Sequence, residues 1–348
     1  MVIKAVAVFL MFFHHLFAQP DRLAPDISYI PLFYIGAEAA ETYIGRFGKI
    51  CVALFLFLGG YGTYLSCAKK IELDLDKRVF SKIKKLYFVY WDVFLLFIPM
   101  CFLFGASTVN GGVEQLLWNF SGLNISYNWE WWFFTPYVLL MIAFPSVLYI
   151  SCKFKSFFSE FLFVCFTDAF VEFILPVLSE LPLFVDVSQS LFYGLFVKTM
   201  LQLPAFWMGI LFAKNRLLDS VKEKHCDLVY SVVGVMLSAF LVYMRDKVGA
   251  SFDFIMAPCF TVSITLALNN RLGSYVKRAL IPVGKESTVC WLSHSFFCYY
   301  LCQEFVYFPR YTVLIVLLLL AMCLITGKVI KWVHSGIQWM KIRMTEAN

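Results

Sequence analysis

Again and again this chain stays apolar for about twenty residues at a stretch, and that leaves few folds open to it. In hydrocarbon every backbone N–H and C=O must find a partner within the protein, so only helices and closed barrels cross a membrane. A crossing helix needs about 20 mostly apolar residues, with a range of roughly 17–25. About ten such segments are legible, at approximately 2–19, 49–67, 86–104, 130–150, 157–177, 191–213, 227–244, 252–268, 285–303 and 311–332. The fifth carries Asp168 and Glu172, and the eighth is short. The residues are 61% hydrophobic and 15% charged, against roughly 45–50% and about 25% in soluble domains. A soluble globular chain is thereby excluded. The expected fold is an all-α polytopic membrane protein of about ten transmembrane helices. Residues 1–348 are expected to form a single transmembrane domain with no fused soluble domain.

The net charge of +6 does not point to nucleic acid, because the basic residues gather in short loops between apolar segments. Such loops encode orientation, Lys and Arg being retained on the cytoplasmic side. One side collects Lys4, a dense group from Lys69 to Lys85, Lys153 and Lys155, Lys214 to Lys224, Arg271 to Lys285, and Lys328, Lys331, Lys341 and Arg343. The other side holds only Arg22, Arg46, Lys49, Arg245, Lys247 and Arg310. Both termini are therefore expected in the cytoplasm. Lys198 stands apart, inside the sixth segment. The cysteines are scattered through apolar segments without CxxC or paired loop spacing. They read as small apolar side chains, and no metal is expected. The first segment has no A-x-A-like cleavage site and reads as a retained helix.

Two histidines lie inside that first segment, in Phe13-His14-His15. Ionisable groups at such depth are costly unless they are used or line a wet cavity, and imidazole is the side chain best suited to move a proton near neutral pH. Lys4 lies eleven positions before His15. At about 1.5 Å per residue this is about 16 Å and about three turns, so the two share a helix face, with His14 about 100° away. The plainer reading has a histidine bonding a neighbouring helix while Lys4 snorkels.

Arg78, Lys82, Lys84 and Lys85 crowd the inner mouth of the third segment. They serve either topology or the anchoring of a phosphorylated cofactor. Gly59-Gly60-Tyr61-Gly62 reads first as a helix-packing surface, not a phosphate loop. In Asn124–Trp132, the tryptophans Trp129, Trp131 and Trp132 form either an aromatic belt or a sugar-stacking surface. The loops at 20–48 and 105–129 are expected to be the long outer ones. Glu38 and Glu41 read there as solvated carboxylates, and His294 reads as a lone polar group in the ninth segment.

Taken in order, these pieces resemble the acyltransferase 3 family of integral membrane acyltransferases. Ile3-Lys4 through His15 resembles a first helix whose pattern is Arg, ten residues, His. Phe55 through Tyr61 resembles a second helix ending in a Gly-aromatic turn. Lys82-Ile83-Lys84-Lys85 resembles a basic R-x-x-R motif, Trp131-Trp132-Phe133 through Pro145 a Trp-Phe…Pro helix, and Gly284 through Ser287 to His294 a Gly-x-x-Ser…His segment. Lysine replaces the family's usual arginine at positions 4, 82 and 85, and Phe88-Val89 stand where a proline is expected.

The resemblance implies O-acylation, usually acetylation, of sugars in cell-surface polysaccharides or their lipid-linked precursors, with acetyl-CoA from the cytoplasm as donor. It implies a multi-pass protein of a bacterial plasma membrane, with membrane lipids and a glycan acceptor as partners and no nucleic acid. His15, with His14 beside it, is the expected catalytic group. Lys4, Lys82 and Lys85 are the expected donor anchors, and Trp129 and Trp132 the expected acceptor surface. Direct transfer and an acetyl-histidine relay are both open. The competing classes are a transporter or flippase whose path is lined by His15, Lys198 and His294, and an acyltransferase acting on a small molecule.

Overall fold

The computed structural model describes residues 1–67, 75–182, 185–224 and 228–346. Lys69 and Lys70 of the basic loop lie outside the described residues. The described chain is predominantly helical, with one two-stranded hairpin, Tyr34–Ile35 against Glu38–Ala39. Seven of its helices are long and apolar enough to cross a membrane: Ala40–Cys67, Leu75–Leu103, Trp129–Ser151, Phe157–Ser179, Leu191–Lys214, Leu228–Val248 and Thr312–Gly336. Val2–Phe17 and Asp253–Ala267 are apolar but shorter. The chain is an all-α multi-pass membrane protein.

Each segment read from the sequence is helical, but two boundaries differ in an instructive way. The expected outer loop 20–48 ends in a helix, Ala40–Gly48, so the second apolar stretch begins well before residue 49. The ninth segment is a short helix, Ser287–Ser295, followed by one π-helical turn, Phe296–Tyr300. Single π turns insert an extra residue and re-aim the side chains that follow.

Two compact units are formed. The first comprises Met1–Ala7, Lys49–Lys85 and Trp132–Ile281. Its helices Cys51–Cys67 and Leu191–Lys214 approach through glycine on both sides. A Cβ on Gly60 would lie 2.0 Å from the Phe206 carbonyl oxygen, and one on Gly209 would lie 2.0 Å from that of Phe57. Of the sequence Gly59-Gly60-Tyr61-Gly62, Gly60 packs on the facing backbone and Gly59 against the Tyr137 ring, where a Cβ would lie 2.8 Å away, whereas Gly62 faces open space. A buried carboxylate, Glu160, fixes a second contact. It accepts from Ser151 Oγ at 2.5 Å, Trp207 Nε1 at 2.9 Å and Lys214 Nζ at 2.8 Å. With both oxygens hydrogen-bonded and a cation on one of them, this ion pair avoids the main penalty of buried charge.

The second unit comprises Val8–Gly48, Leu86–Trp131 and Pro282–Asn348. Its core is aromatic: Phe12, Phe17, Tyr90, Trp131 and Phe296 are all fully buried. Phe97 stacks on Phe296 at 4.6 Å, and Tyr90 meets Trp131 edge-on at 4.9 Å. Trp131 also donates its indole N–H to the Leu292 carbonyl at 2.9 Å. It is therefore a core residue and not part of an interfacial belt. Glu41 departs from the sequence expectation in the same way. It is fully buried and accepts from the Leu32 amide and, at 2.5 Å, from Thr312 Oγ1. It ties the hairpin segment to the start of the last long helix. Glu38 is exposed, and hydrogen bonds from Arg46 hold its carboxyl below the usual carboxylate range.

Candidate active site

The first helix, Val2–Phe17, ends in a turn whose last carbonyls have no partner within the helix. Two tyrosines supply the missing donors. Tyr299 donates its hydroxyl to the His15 carbonyl at 2.7 Å, and Tyr307 donates to that of Leu16 at 2.5 Å. The helix Ala40–Gly48 packs beside this turn through Gly45 and Gly48. A Cβ on Gly48 would lie 2.2 Å from the Leu10 carbonyl oxygen, and one on Gly45 would lie 2.7 Å from that of Phe13. That close approach brings the Gly45 carbonyl within 3.0 Å of His14 Nδ1, which donates to it.

His15 sits at the centre of a polar cluster in this aromatic core. Its Nδ1 is 3.1 Å from the Tyr299 hydroxyl oxygen and 3.6 Å from Glu130 Oε2. The single proton of Tyr299 is already given to the His15 carbonyl, so Nδ1 must be the protonated nitrogen. Nε2 then carries the lone pair. Glu130 is itself held by Arg22, whose Nη1 donates to Oε1 at 2.8 Å. The guanidinium lies 3.5 Å over the Tyr299 ring. Gln303 clamps the chain around Arg22, accepting from the Ala24 amide at 3.0 Å and donating to the Arg22 carbonyl at 3.0 Å. Arginine thus holds the carboxylate, and the carboxylate lies beside an imidazole oriented by Tyr299. A side chain ordered in this way is suited to accept a proton, because the carboxylate stabilises the imidazolium as it forms.

A second imidazole, His294, has its ring centroid 4.6 Å from that of His15. It is fully buried, and its Nδ1 donates to the Trp291 carbonyl at 2.7 Å. Its Nε2 is buried without a hydrogen-bond partner. The π turn Phe296–Tyr300 brings Tyr299 to His15 and Tyr300 to the Trp129 amide, 3.3 Å away. Reciprocal bonds between Asn128 and Ser295, at 2.8 and 3.1 Å, hold the segment before Glu130 against the same helix.

The other residues singled out in the sequence are placed as follows. Lys4 lies on the same continuous helix as His15 and is half-buried. Lys82 Nζ donates to the Gly62 carbonyl at 3.2 Å and to Thr63 Oγ1 at 3.1 Å, and Arg78 donates to the Ser66 carbonyl at 2.5 Å. Both cations sit at the C-terminal end of Cys51–Cys67, where the helix dipole favours positive charge. Lys85 and Lys198 are exposed, Trp129 is a surface residue, and Trp132 is half-buried with its ring against Phe133.

Glu130, Arg22 and Tyr299 were not singled out by sequence reasoning. For Glu130 a signal existed: a carboxylate set among three tryptophans at the mouth of an apolar segment needs a partner. Nothing in the spacing marks Arg22 or Tyr299.

A family model described as an acyltransferase domain matches residues 2–328. No curated protein and no solved structure matches the chain. The family match spans the first helix with His15 and Arg22, the tryptophan segment with Glu130, and the π turn with Tyr299, and the chain belongs to the acyltransferase 3 family of membrane acyltransferases.

Proposed function

We propose that the protein moves an acetyl group from cytoplasmic acetyl-CoA to a sugar hydroxyl of a cell-surface polysaccharide or its lipid-linked precursor. One observation carries this reading: the His15 Nδ1–H donates to the Tyr299 oxygen, with the Glu130 carboxylate 3.6 Å away, which leaves Nε2 as a base. In the step proposed, Nε2 takes the hydroxyl proton while the oxygen attacks the thioester carbonyl. The C–O bond forms, the C–S bond breaks, and the departing CoA sulfur takes the proton from the imidazolium. Neutral Nε2 is restored for the next turnover.

The phosphates of the donor are assigned to Lys4, Lys82 and Lys85 by resemblance to the family. Lysine suits such a role as a point charge, and Lys82 has donor capacity beyond its two present bonds. Trp129, with its ring exposed, is the proposed stacking surface for the sugar, and Trp132 is proposed as a further sugar-binding aromatic. A single domain and ten spans, with cytoplasmic termini supported by the one-sided loop charge and a bacterial plasma membrane implied by the family resemblance, complete the proposal.

The test is His15→Ala in purified protein, assayed for CoA release from acetyl-CoA and for acetate on the acceptor. A positioned base contributes about 10²–10⁴ in rate, and a loss in that range with donor binding intact is expected. Normal transfer by His15→Ala would remove the catalytic role.

A further inference from the structure

Histidine presents two ring nitrogens, and in a neutral ring only one is a donor. In His294 the donor is fixed, because Nδ1 lies 2.7 Å from a carbonyl oxygen that can only accept. Nε2 is therefore a bare lone pair, fully buried and without a hydrogen-bond partner. Buried acceptors are rarely left so, since the lost hydration goes uncompensated. The ring lies beside His15, centroid to centroid 4.6 Å, with Phe12 at 6.1 Å. Its unsatisfied nitrogen is thus next to the proposed base rather than in a remote part of the fold.

We propose that His294 is a binding residue of the transfer site, its Nε2 accepting a hydrogen bond from an O–H that His15 does not deprotonate, either a hydroxyl neighbouring the reacting one on the acceptor or the second O–H of an attacking water. The inference rests on the acyl-transfer reading. The chemistry of the ligand follows from the tautomer. A bare imidazole nitrogen takes an O–H donor and gives nothing to a carboxylate or phosphate oxygen, so His294 selects a hydroxylic group over an anion. Such a group is either a second hydroxyl of a polyhydroxy acceptor, next to the one that reacts, or the remaining O–H of water.

Two substitutions separate this role from a structural one. In His294→Asn the amide nitrogen takes the place of Nδ1 and keeps the Trp291 bond, while the outer acceptor is lost. In His294→Gln the side-chain amide reaches the place of Nε2, while the Trp291 bond is lost. Thiol release from acetyl-CoA is measured in the full-length protein, in water alone and with methyl glucoside added, alongside the melting temperature.

The expected result is a loss of about tenfold in kcat/KM for His294→Asn at an unchanged melting temperature, with most activity returned in His294→Gln. A loss confined to the methyl glucoside arm identifies the bound hydroxyl as the alcohol's, and a loss in both arms identifies it as water's. Full activity in His294→Asn, or equal loss in both variants, overturns the inference and leaves His294 structural. If His294→Asn does not fold, His294→Gln decides alone: near wild-type release supports the proposal and a loss overturns it. Wild-type protein that releases no thiol in either arm overturns the acyl-transfer reading and this inference with it. Active wild type with unaffected variants overturns only the latter.

Discussion

Glu130→Gln removes a charge and almost nothing else, which makes it the sharpest probe of the site. The amide retains an oxygen for the Arg22 bond at 2.8 Å, and its volume matches that of the carboxylate. What is lost is the attraction between the carboxylate and the imidazolium that forms when His15 takes a proton. At 3.6 Å and an effective dielectric of about 20, a full charge pair is worth about 4.6 kcal/mol. Arg22 neutralises part of it, because its guanidinium grips the same carboxylate. Taking roughly half as the net loss gives about 2 kcal/mol, or about 30-fold in rate. The loss belongs in kcat, since the charge is needed only when the imidazolium forms. Steady-state transfer with saturating acetyl-CoA, together with the melting temperature, reads it directly. Glu130→Gln protein with kcat within about twofold of wild type and an unchanged melting temperature would refute the coupling of Glu130 to His15.

Three further outcomes follow from other parts of the structure. Gly48→Ala places a Cβ 2.2 Å from the Leu10 carbonyl oxygen, so helices must separate, with an expected cost of about 1–3 kcal/mol read as a lower melting temperature. Lys214→Met leaves the Glu160 carboxylate buried beside only Ser151 and Trp207, and breaking such a pair costs about 3–5 kcal/mol, measured by thermal or denaturant unfolding in detergent. Lys82→Ala and Lys85→Ala are each expected to weaken acetyl-CoA binding by about 1.5–3 kcal/mol, measured by calorimetry. Only Lys82→Ala also lowers stability, because only Lys82 caps the Gly62 carbonyl. Arginine at either position is expected to keep binding, and unchanged donor affinity in the double alanine variant would return both lysines to a topological role.

The helices were legible because their signal is local. A segment such as Thr312–Gly336 carries its own length and apolarity, and lipid allows its backbone no other solution. The same local logic missed Ala40–Gly48, whose Gly45 and Gly48 weaken helix propensity. Those glycines serve packing against Leu10 and Phe13, a cost that is offset only in the tertiary structure. Glu41 was misread for a similar reason. Its sequence neighbours suggest a solvated loop, but its partners are Leu32 and, far along the chain, Thr312.

The site shows the same division. His15 stood out because an intramembrane histidine is anomalous by itself. The residues that make it a directed base are invisible from its neighbourhood: Glu130 is more than a hundred residues away, and Tyr299 owes its position to a π turn that no periodicity announces. The geometry nevertheless has a simple local origin. His15 lies in the last turn of its helix, where carbonyls must find outside donors. Tyr299 answers that need at the His15 carbonyl, and its oxygen, left as an acceptor, then fixes the Nδ1 proton of the same residue. The bond that finishes the helix is the bond that sets the tautomer. Tyr299→Phe therefore removes the helix cap and the orientation of the base together, and the two functions of that hydroxyl cannot be separated by changing Tyr299 alone.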